Sequence, residues 1–302
     1  MIQPPNIKQG DTIGLVCPAG SIPIEKVQNC IQTLEKWGYQ VQLGKTVGGK
    51  KDAFSATDAE RALDVQSMLD DENIKAILCA RGGYGMSRIV NELNFSKFNA
   101  HPKWVIGFSD ITVLHAALQK QNCMSIHGPM AGAFNKGEPG EKFILSLRDC
   151  LEGKVSQYQA NAHVLNALGK VKAPMIGGNL CMIAHLIGSQ NALDSKEKIL
   201  FIEDVSEYHY NIDRLMIQCK NAGLFENCKG IIVGGFTDMK DNASDFGATA
   251  HEIIGAHISN LAIPICFDFP ISHGLENVAV KQGQAYLLEV HDKGADLKEM
   301  GG

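Results

Sequence analysis

A serine that follows a short apolar run is the residue of this chain best placed to do chemistry. Lys103–Asp110 reads Lys-Trp-Val-Ile-Gly-Phe-Ser-Asp, and an amphipathic helix pattern begins directly after it. A serine on a sharp strand-to-helix turn is held away from the sheet, with the free N–H groups of the helix start around it. Those groups favour the negative charge that develops in acyl transfer. Ser109 is therefore a candidate nucleophile.

A helix cap is the alternative interpretation of the same turn. Serine and aspartate are common N-cap residues, so Ser109 or Asp110 would fit that role as well. The motif Gly-x-Ser-x-Gly is also incomplete, because Ile111 stands in place of its second glycine. A serine nucleophile needs a base within reach and a carboxylate that orients the base. The rest of the chain must supply both.

Two of the ten histidines are candidate bases. His127 in Ser-Ile-His-Gly-Pro and His273 in Phe-Pro-Ile-Ser-His-Gly both end an apolar run and precede a glycine. Both would lie at the edge of a sheet, and spacing alone leaves the choice between them open. His115 lies six positions after Ser109 on the predicted helix and is interpreted as structural.

One carboxylate stands directly at the end of an apolar strand pattern. Glu203, with Asp204 after it, follows Ile199–Ile202. A carboxylate at this position is held by the sheet, which suits an orienting role beside a histidine. Capping of the segment that follows is equally compatible with the spacing.

A glycine-rich loop follows another predicted strand. Arg81–Gly85 reads Arg-Gly-Gly-Tyr-Gly, and its glycines allow backbone N–H groups to approach an anion closely. We interpret an N–H of Gly82 or Gly83 as the second donor of an oxyanion hole, beside the N–H of Asp110. A phosphate-binding loop is the weaker alternative, since Gly-x-Gly-x-x-Gly and Gly-Lys-Ser/Thr are both missing.

Two side chains of this loop are candidate substrate contacts. The guanidinium of Arg81 matches the geometry of a terminal carboxylate, although it would serve equally well to brace the loop. Tyr84 is the second candidate.

The elements that must position these residues alternate along the first half of the chain. We predict strands over 12–17, 39–43, 74–79 and 104–106, and helices over 25–37, 57–69 and 110–120. Such alternation predicts an α/β fold with a mostly parallel sheet and helices on both faces. The turns after Cys17, Cys79 and Ile106 then share the carboxyl edge, where sites form in such sheets.

A polar stretch divides the chain into two predicted domains. We expect a nucleophile domain over 1–150, a linker over 151–171, and a C-terminal domain over 172–302 that carries Glu203 and His273. The second domain is predicted to contain strands over 198–202, 230–233, 265–269, 277–280 and 285–290, and helices ending near 187, 222 and 260.

Composition describes an ordinary globular protein. The 302 residues are 45% hydrophobic and 20% charged, and the net charge of −5 argues against a general nucleic-acid binder. The sequence shows neither a secretory signal nor an apolar run of membrane-spanning length. Its nine cysteines are scattered without a Cys-x-x-Cys pair, which argues against a zinc site or a disulfide framework and predicts a cytoplasmic location.

Six motifs occur in order and carry a family resemblance. They are Arg81-Gly-Gly-Tyr-Gly85, Gly107-Phe-Ser-Asp-Ile-Thr112, His127-Gly-Pro129, Gly177-Gly-Asn-Leu180, Ile202-Glu-Asp-Val205 and Tyr210-Asn-Ile-Asp-Arg214. Together they resemble the LD-carboxypeptidase family, which includes the muramoyl-tetrapeptide carboxypeptidases and their microcin self-immunity relatives. The resemblance spans residues 10–283.

This resemblance implies both a fold and an activity. It implies a flavodoxin-like N-terminal parallel-sheet domain, a smaller C-terminal α/β domain, a homodimer, and neither metal nor cofactor. It implies a catalytic triad of Ser109, Glu203 and His273, with His127 in a supporting role. Members cleave the bond between an L-centre and a terminal D-amino acid, typically releasing D-alanine from murein tetrapeptides in cell-wall recycling.

Two departures from the family pattern fall around the C-terminal part of the site. Ser272 precedes His273 where the family usually has glycine, and residues 280–283 read Val-Lys-Gln-Gly in place of a Pro-Leu-Gly-like ending. We expect them to bear on substrate preference rather than on the triad. The alternatives are a same-fold peptidase acting on a peptidyl-nucleotide antibiotic and a non-catalytic, flavodoxin-like ligand-binding module. Retention of all three triad residue types argues against the second.

Overall fold

Two β-sheets organise the chain, each at the centre of its own compact unit. The computed structural model describes residues 1–301, apart from the side chain of Pro139. The strands are β1 Thr12–Val16, β2 Gln40–Leu43, β3 Ile74–Cys79, β4 Trp104–Gly107, β5 Ser125–His127, β6 Gln157–Asn161, β7 Gly169–Asn179, β8 Ile199–Val205, β9 Gly230–Thr237, β10 Ile265–Cys266, β11 Val280–Gln282, β12 Ala285–His291 and β13 Gly294–Glu299.

The helices lie mostly between successive strands of the two sheets. They are α1 Gln28–Lys36, α2 Asp58–Asp70, α3 Met86–Ile89, α4 Ser96–Ala100, α5 Thr112–Lys120, α6 Glu138–Glu152, α7 Leu180–Leu186, α8 His209–Asn221 and α9 Ala250–Ile258. Helix α2 begins at a capping box, because the Thr57 hydroxyl accepts from the backbone N–H of Glu60 and the Glu60 carboxylate accepts from Thr57. In the described part of the chain no helix is long and apolar enough to cross a membrane.

The first unit comprises Met1–Lys154 and Val278–Lys281. Its sheet has the order β11-β5-β4-β3-β1-β2, and β1 to β5 pair in parallel. Strands β1, β3 and β4 are almost continuously apolar because helices cover the parallel sheet on both faces, whereas the edge strand β2 is mostly exposed. The order reverses between β1 and β3, which is where sheets of this kind bind ligands beyond the carboxyl ends of the strands. The predicted parallel α/β architecture is confirmed.

The short segment that rejoins the first unit is anchored in its core. Ala279 is fully buried in the same hydrophobic cluster as Leu147 and Cys150 of α6. Its N–H donates to the Ser146 hydroxyl at 2.9 Å, and its carbonyl accepts from the Cys150 thiol at 3.3 Å. Residues 278–281 are therefore an integral part of the first unit.

The second unit comprises Val155–Asn277 and Gln282–Gly302, of which 302 lies outside the described residues. Its sheet has the order β10-β9-β8-β7-β12-β13-β6. Strands β7 to β10 pair in parallel, whereas β12 pairs antiparallel with both β7 and β13, and β13 with β6. The parallel half carries the buried strand β8, which ends at the candidate carboxylate Glu203 and the residues after it.

Residues 138–171 are more regular than their polar composition predicts. Helix α6 fills 138–152, with buried residues Phe143, Ile144, Leu147, Cys150 and Leu151 on one face. Strand β6 and the beginning of β7 lie within 151–171, which was expected to be a linker. Strand β6 and the beginning of β7 alternate between more and less exposed positions, so they carry too few large apolar residues to give a strong strand pattern.

Candidate active site

Ser109 occupies a strained turn directly after β4. Its φ of 65° lies in the left-handed region, which costs a residue other than glycine roughly 1–3 kcal/mol. The turn continues as a 3-10 helix over Ser109–Ile111 and then as α5. A Cβ on Gly107 would meet the Ile111 side chain at 2.9 Å. Ile111 therefore packs into the space that Gly107 leaves open beneath the turn.

The glycine loop lies directly against this serine. A Cβ on Gly82 would come within 2.9 Å of the Ser109 Cβ and within 3.2 Å of both the Ser109 Oγ and the Phe108 carbonyl oxygen. Gly82 is buried, and its φ is not among the positive values of this chain. Glycine is therefore required here by space and not by backbone conformation.

The turn after β1 orients the peptide unit between Gly82 and Gly83. The Gly20 N–H donates to the Gly82 carbonyl oxygen at 2.8 Å. In a planar trans peptide the N–H points opposite to the C=O, so the Gly83 N–H faces away from Gly20. Gly83 has a φ of 94°, a value that favours glycine.

Asp110 joins the serine turn to the glycine loop. Its side chain is buried, and Oδ2 accepts from the Met86 N–H at 2.8 Å at the start of α3. Asp110 thus positions the loop through its carboxylate. Its own backbone N–H lies in the first turn after β4, in the 3-10 helix that begins at Ser109.

The two candidate substrate contacts of the loop lie at the surface of the first unit. Tyr84 is 55% exposed, and its ring lies 5.8 Å from that of Phe54. Arg81 is also exposed, and its Nε lies 3.5 Å from the position of a Cβ on Gly20. The Arg81 side chain therefore runs along the turn after β1.

In the second unit, Glu203 and His273 form a hydrogen-bonded pair. His273 Nδ1 lies 2.5 Å from Glu203 Oε2, and the Glu203 side chain is fully buried. A buried carboxylate on Nδ1 fixes the orientation of the ring and stabilises its protonated form. Of the two histidines that the sequence leaves open as partners of Glu203, the structure pairs His273 with it.

A pair of glycines in β9 allows the His273 segment to approach this closely. A Cβ on Gly234 would meet the Ile271 carbonyl oxygen at 2.2 Å, and one on Gly235 would meet the Ser272 Cβ at 2.5 Å. The Gly235 N–H donates to the same Ile271 carbonyl at 2.9 Å. The Glu203 Cβ lies 3.3 Å from the position of a Cβ on Gly234, and the pairing of β8 with β9 is irregular at Glu203.

Sequence reasoning overlooked these glycines and the role of Ser272. The Ser272 hydroxyl donates to the Glu276 carbonyl at 2.7 Å and accepts from the Gly274 N–H at 3.0 Å, closing the turn that contains His273. The signal available in the sequence is a Gly-Gly pair near the end of a strand, which indicates close approach of another segment.

The residue after Glu203 anchors a helix. Asp204 accepts from the Asn179 side chain at 2.7 Å and from the Cys181 N–H at 2.9 Å, at the start of α7. Burial, together with the charge of neighbouring Glu203, raises the pKa of Asp204 to about 7. The two adjacent carboxylates therefore have different partners. Glu203 bonds to His273, and Asp204 bonds to the start of α7.

The other histidines discussed above lie inside the first unit. His115 is fully buried between the Gly107 carbonyl, 2.9 Å from Nε2, and the Ser125 hydroxyl, 2.8 Å from Nδ1. Burial lowers its pKa to about 4, so the ring is neutral and ties β4 to β5. His127 is also fully buried, with its ring 5.8 Å from that of Phe108.

The candidate residues are thus divided between the units. Ser109, Asp110 and the glycine loop belong to the first unit, and Glu203 and His273 belong to the second. Among residues 1–301, no group of three or more His, Cys, Asp or Glu side chains is arranged to hold a metal ion. All nine cysteines are free thiols, and eight of them are buried.

The fold and these motifs define a two-domain α/β peptidase. The chain matches the LD-carboxypeptidase N-terminal domain over residues 13–128 and the LD-carboxypeptidase C-terminal domain over residues 172–288. It belongs to the LD-carboxypeptidase family, as the sequence motifs predicted, and is a peptidase.

Individual relatives cover almost the whole chain. A probable murein peptide carboxypeptidase of Bacillus subtilis is 31% identical, over 98% of this chain and 94% of its own. The crystal structure of the muramoyltetrapeptide carboxypeptidase of Oxalobacter formigenes has a TM-score of 0.87 at 26% identity, covering 96% and 99% of the two chains. The microcin C7 self-immunity protein MccF shares the fold, with a TM-score of 0.87 at 22% identity over 99% of each chain.

Proposed function

We propose that this protein is a serine LD-carboxypeptidase that releases the terminal D-alanine of murein tetrapeptides in cell-wall recycling. The hydrogen bond between His273 Nδ1 and buried Glu203 carries the proposal, because it leaves Nε2 as the ring atom for proton transfer. The names of relatives that span the whole chain support murein peptides as substrate.

In the proposed acylation step, Ser109 Oγ attacks the carbonyl carbon of the bond between the L-centre and D-alanine. His273 Nε2 takes the serine proton, while Glu203 stabilises the imidazolium that forms. The same proton then passes to the nitrogen of the leaving D-alanine as the C–N bond breaks. Water repeats the sequence on the acyl-enzyme and releases the shortened peptide.

The negative oxygen of the tetrahedral intermediate is proposed to accept from two backbone N–H groups. One is that of Asp110, directly after the nucleophile. The other comes from the Gly82–Gly83 pair, and the hydrogen bond from Gly20 to the Gly82 carbonyl supports the Gly83 N–H. Loss of one such donor lowers kcat by roughly 10²–10³-fold.

Substrate recognition is proposed to involve the exposed side chains of the loop. The Arg81 guanidinium would pair with the terminal carboxylate, which only a carboxypeptidase substrate presents next to the scissile bond. Tyr84 would contact the peptide beside it. We further propose a cytoplasmic homodimer without a cofactor, which gel filtration with light scattering and cell fractionation would test.

Mutation of the proposed nucleophile and base tests this function. Ser109→Ala should abolish D-alanine release, and His273→Ala should lower the acylation rate about as severely because triad members act as a unit. His127→Ala is the matched control and should act on stability or substrate binding, with a smaller loss in kcat. Unchanged cleavage by a folded Ser109→Ala variant contradicts the proposal.

The substrate class is tested separately with the wild-type protein. It is incubated with murein tetrapeptide and with a peptidyl-adenylate, and each product is followed by mass. Release of D-alanine supports the proposal. Cleavage of the peptidyl-adenylate alone would instead support the antibiotic-directed alternative. MccF, the microcin C7 self-immunity protein, has the same fold as this chain.

A further inference from the structure

A buried arginine beneath the glycine loop has no role in the steps above. Arg61 lies in the first turn of α2, and its side chain is fully buried. A cation near a helix N-terminus opposes the helix dipole, and its burial is unfavourable unless acceptors surround it. The position of Arg61 therefore reflects what its guanidinium contacts.

The guanidinium bonds to both turns that flank the reversal in strand order. Nη1 donates to the Pro18 carbonyl at 2.5 Å, after β1, and to the Gly85 carbonyl at 3.0 Å, after β3. Nη2 pairs with Asp58, and the guanidinium carbon lies 4.8 Å from the centre of the Phe54 ring. The two N–H bonds of one nitrogen thus hold two loops at a fixed separation.

The absence of a side chain at Gly85 leaves the space that the Arg61 guanidinium occupies. A Cβ on Gly85 would lie 2.7 Å from Arg61 Nη1, so any other residue there would displace the guanidinium. Gly85 ends the glycine loop, and the next residue, Met86, donates its N–H to Asp110. At the other turn, Gly20 holds the Gly82 carbonyl, two residues after Pro18. Arg61 therefore contacts both turns within two residues of the bonds that orient the Gly82–Gly83 peptide.

We propose that Arg61 is a positioning residue that sets the oxyanion-hole geometry by clamping the Pro18 and Gly85 carbonyls. The proposal rests on the proposed serine mechanism. Arginine is required because its planar guanidinium presents fixed donors to both carbonyls and a further nitrogen to Asp58, whereas lysine has one flexible ammonium group. Displacement of reacting groups by about 1 Å can lower a rate about 10²-fold.

The neighbouring Arg88 provides a matched control. It also pairs with Asp58, through Nε at 2.8 Å and through Nη2, and its guanidinium carbon lies 5.6 Å from the Phe54 ring centre. Its side chain is 47% exposed, and in the described part of the chain its guanidinium makes no bond to the Pro18 or Gly85 carbonyl. Its backbone N–H donates to the Gly85 carbonyl at 3.2 Å, and this bond is kept when the side chain is replaced. Arg88 thus shares the ionic and aromatic contacts of Arg61 without the clamp.

The test compares Arg61→Lys, Arg61→Gln and Arg88→Gln with the wild type. For each we measure kcat and KM for murein tetrapeptide, thermal unfolding, and affinity for a peptide aldehyde that ends at the L-centre. The aldehyde forms a hemiacetal whose oxygen occupies the oxyanion position. Both Arg61 variants should lower kcat and aldehyde affinity by a similar factor, about 10–10²-fold, with KM changed less than about threefold. Arg88→Gln should leave kcat and aldehyde affinity within about twofold.

Three results would overturn the inference. The first is a folded Arg61→Lys or Arg61→Gln enzyme with wild-type kcat and aldehyde affinity. The second is an equal loss in Arg88→Gln, which would assign the effect to the Asp58 cluster. The third, if neither Arg61 variant folds, is wild-type kcat in Gly85→Ala, whose Cβ displaces the guanidinium. The proposed function is contradicted instead if the wild type releases no D-alanine, or if Ser109→Ala releases it equally well. These two proteins are therefore assayed before the Arg61 and Arg88 variants are made.

Discussion

A single added methyl group at Gly82 should disable the enzyme without unfolding it. In Gly82→Ala the new Cβ would start 2.9 Å from the Ser109 Cβ and 3.2 Å from its Oγ. Carbon atoms in ordinary contact lie about 3.5–4.0 Å apart, so the loop and the serine must separate by roughly 0.6–1 Å. The negative-φ backbone of Gly82 accepts alanine, so this separation is the main consequence of the substitution.

The magnitude follows from how sharply acyl transfer depends on distance. A shift of about 1 Å between nucleophile and oxyanion donors costs on the order of 10²-fold in rate, or about 2.7 kcal/mol of transition-state stabilisation. We therefore expect kcat to fall about 10²-fold, while the thermal midpoint changes by only a few degrees, as for about 1 kcal/mol in a domain of this size.

The assay follows D-alanine release from murein tetrapeptide, with thermal unfolding in parallel. Gly132→Ala is the matched control, because a Cβ there meets nothing within 4 Å and its φ is not positive. It should have wild-type kcat. If Gly82→Ala retains kcat within about twofold of the wild type, Gly82 does not approach the reacting serine closely in solution, and the oxyanion assignment loses its basis.

Three further outcomes are expected. Glu203→Gln should lower kcat about 10³–10⁴-fold at unchanged KM, because an amide cannot stabilise the His273 imidazolium, and a loss below tenfold contradicts the triad. Below about pH 6.5 the unfolded chain protonates His115, whereas the folded state, with its pKa of about 4, does not. The His115 contribution to the unfolding free energy should therefore fall by about 2 kcal/mol from pH 7 to 5, so the wild type should lose about that much more stability than His115→Gln over this interval. Urea unfolding followed by the fluorescence of Trp37 and Trp104, both in the first unit, measures it. EDTA should leave kcat unchanged, because His273 is proposed to activate the nucleophile, and a loss restored by zinc contradicts this.

Much of the fold could be predicted because its signals are local. The strands before Ser109 and Glu203 are buried on both faces, so each appears as an apolar run that ends at the polar residue it positions. Helix α6 was not predicted because residues 137–171 form a polar stretch of weak periodicity, and the sequence at its start, Gly-Glu-Pro-Gly, gives no helix signal by itself. Proline in the first turn of a helix fits equally well, since its missing N–H would have no intrahelical partner there.

The pairing of the site could not be predicted in the same way. The choice between His127 and His273 depends on where the chain passes after β10, and that path is set by contacts with Gly234 and Gly235, which are distant in sequence. Periodicity and spacing describe neighbours along the chain and not such long-range approaches. The contacts of Arg61 could not be predicted for the same reason, since its acceptors, the Pro18 and Gly85 carbonyls, come from two other turns.

Because residues 278–281 belong to the first unit, that unit cannot complete its sheet until they have been synthesised. On the ribosome, domains generally fold in order from the N-terminus. Here strand β11, which pairs with β5, is synthesised more than 150 residues after β5. Until then β5 presents an open edge, which is a template for pairing with another chain. A gene fragment that encodes only the first 154 residues should therefore yield an aggregation-prone product, and fusing 278–281 to its C-terminus through a flexible linker should restore solubility.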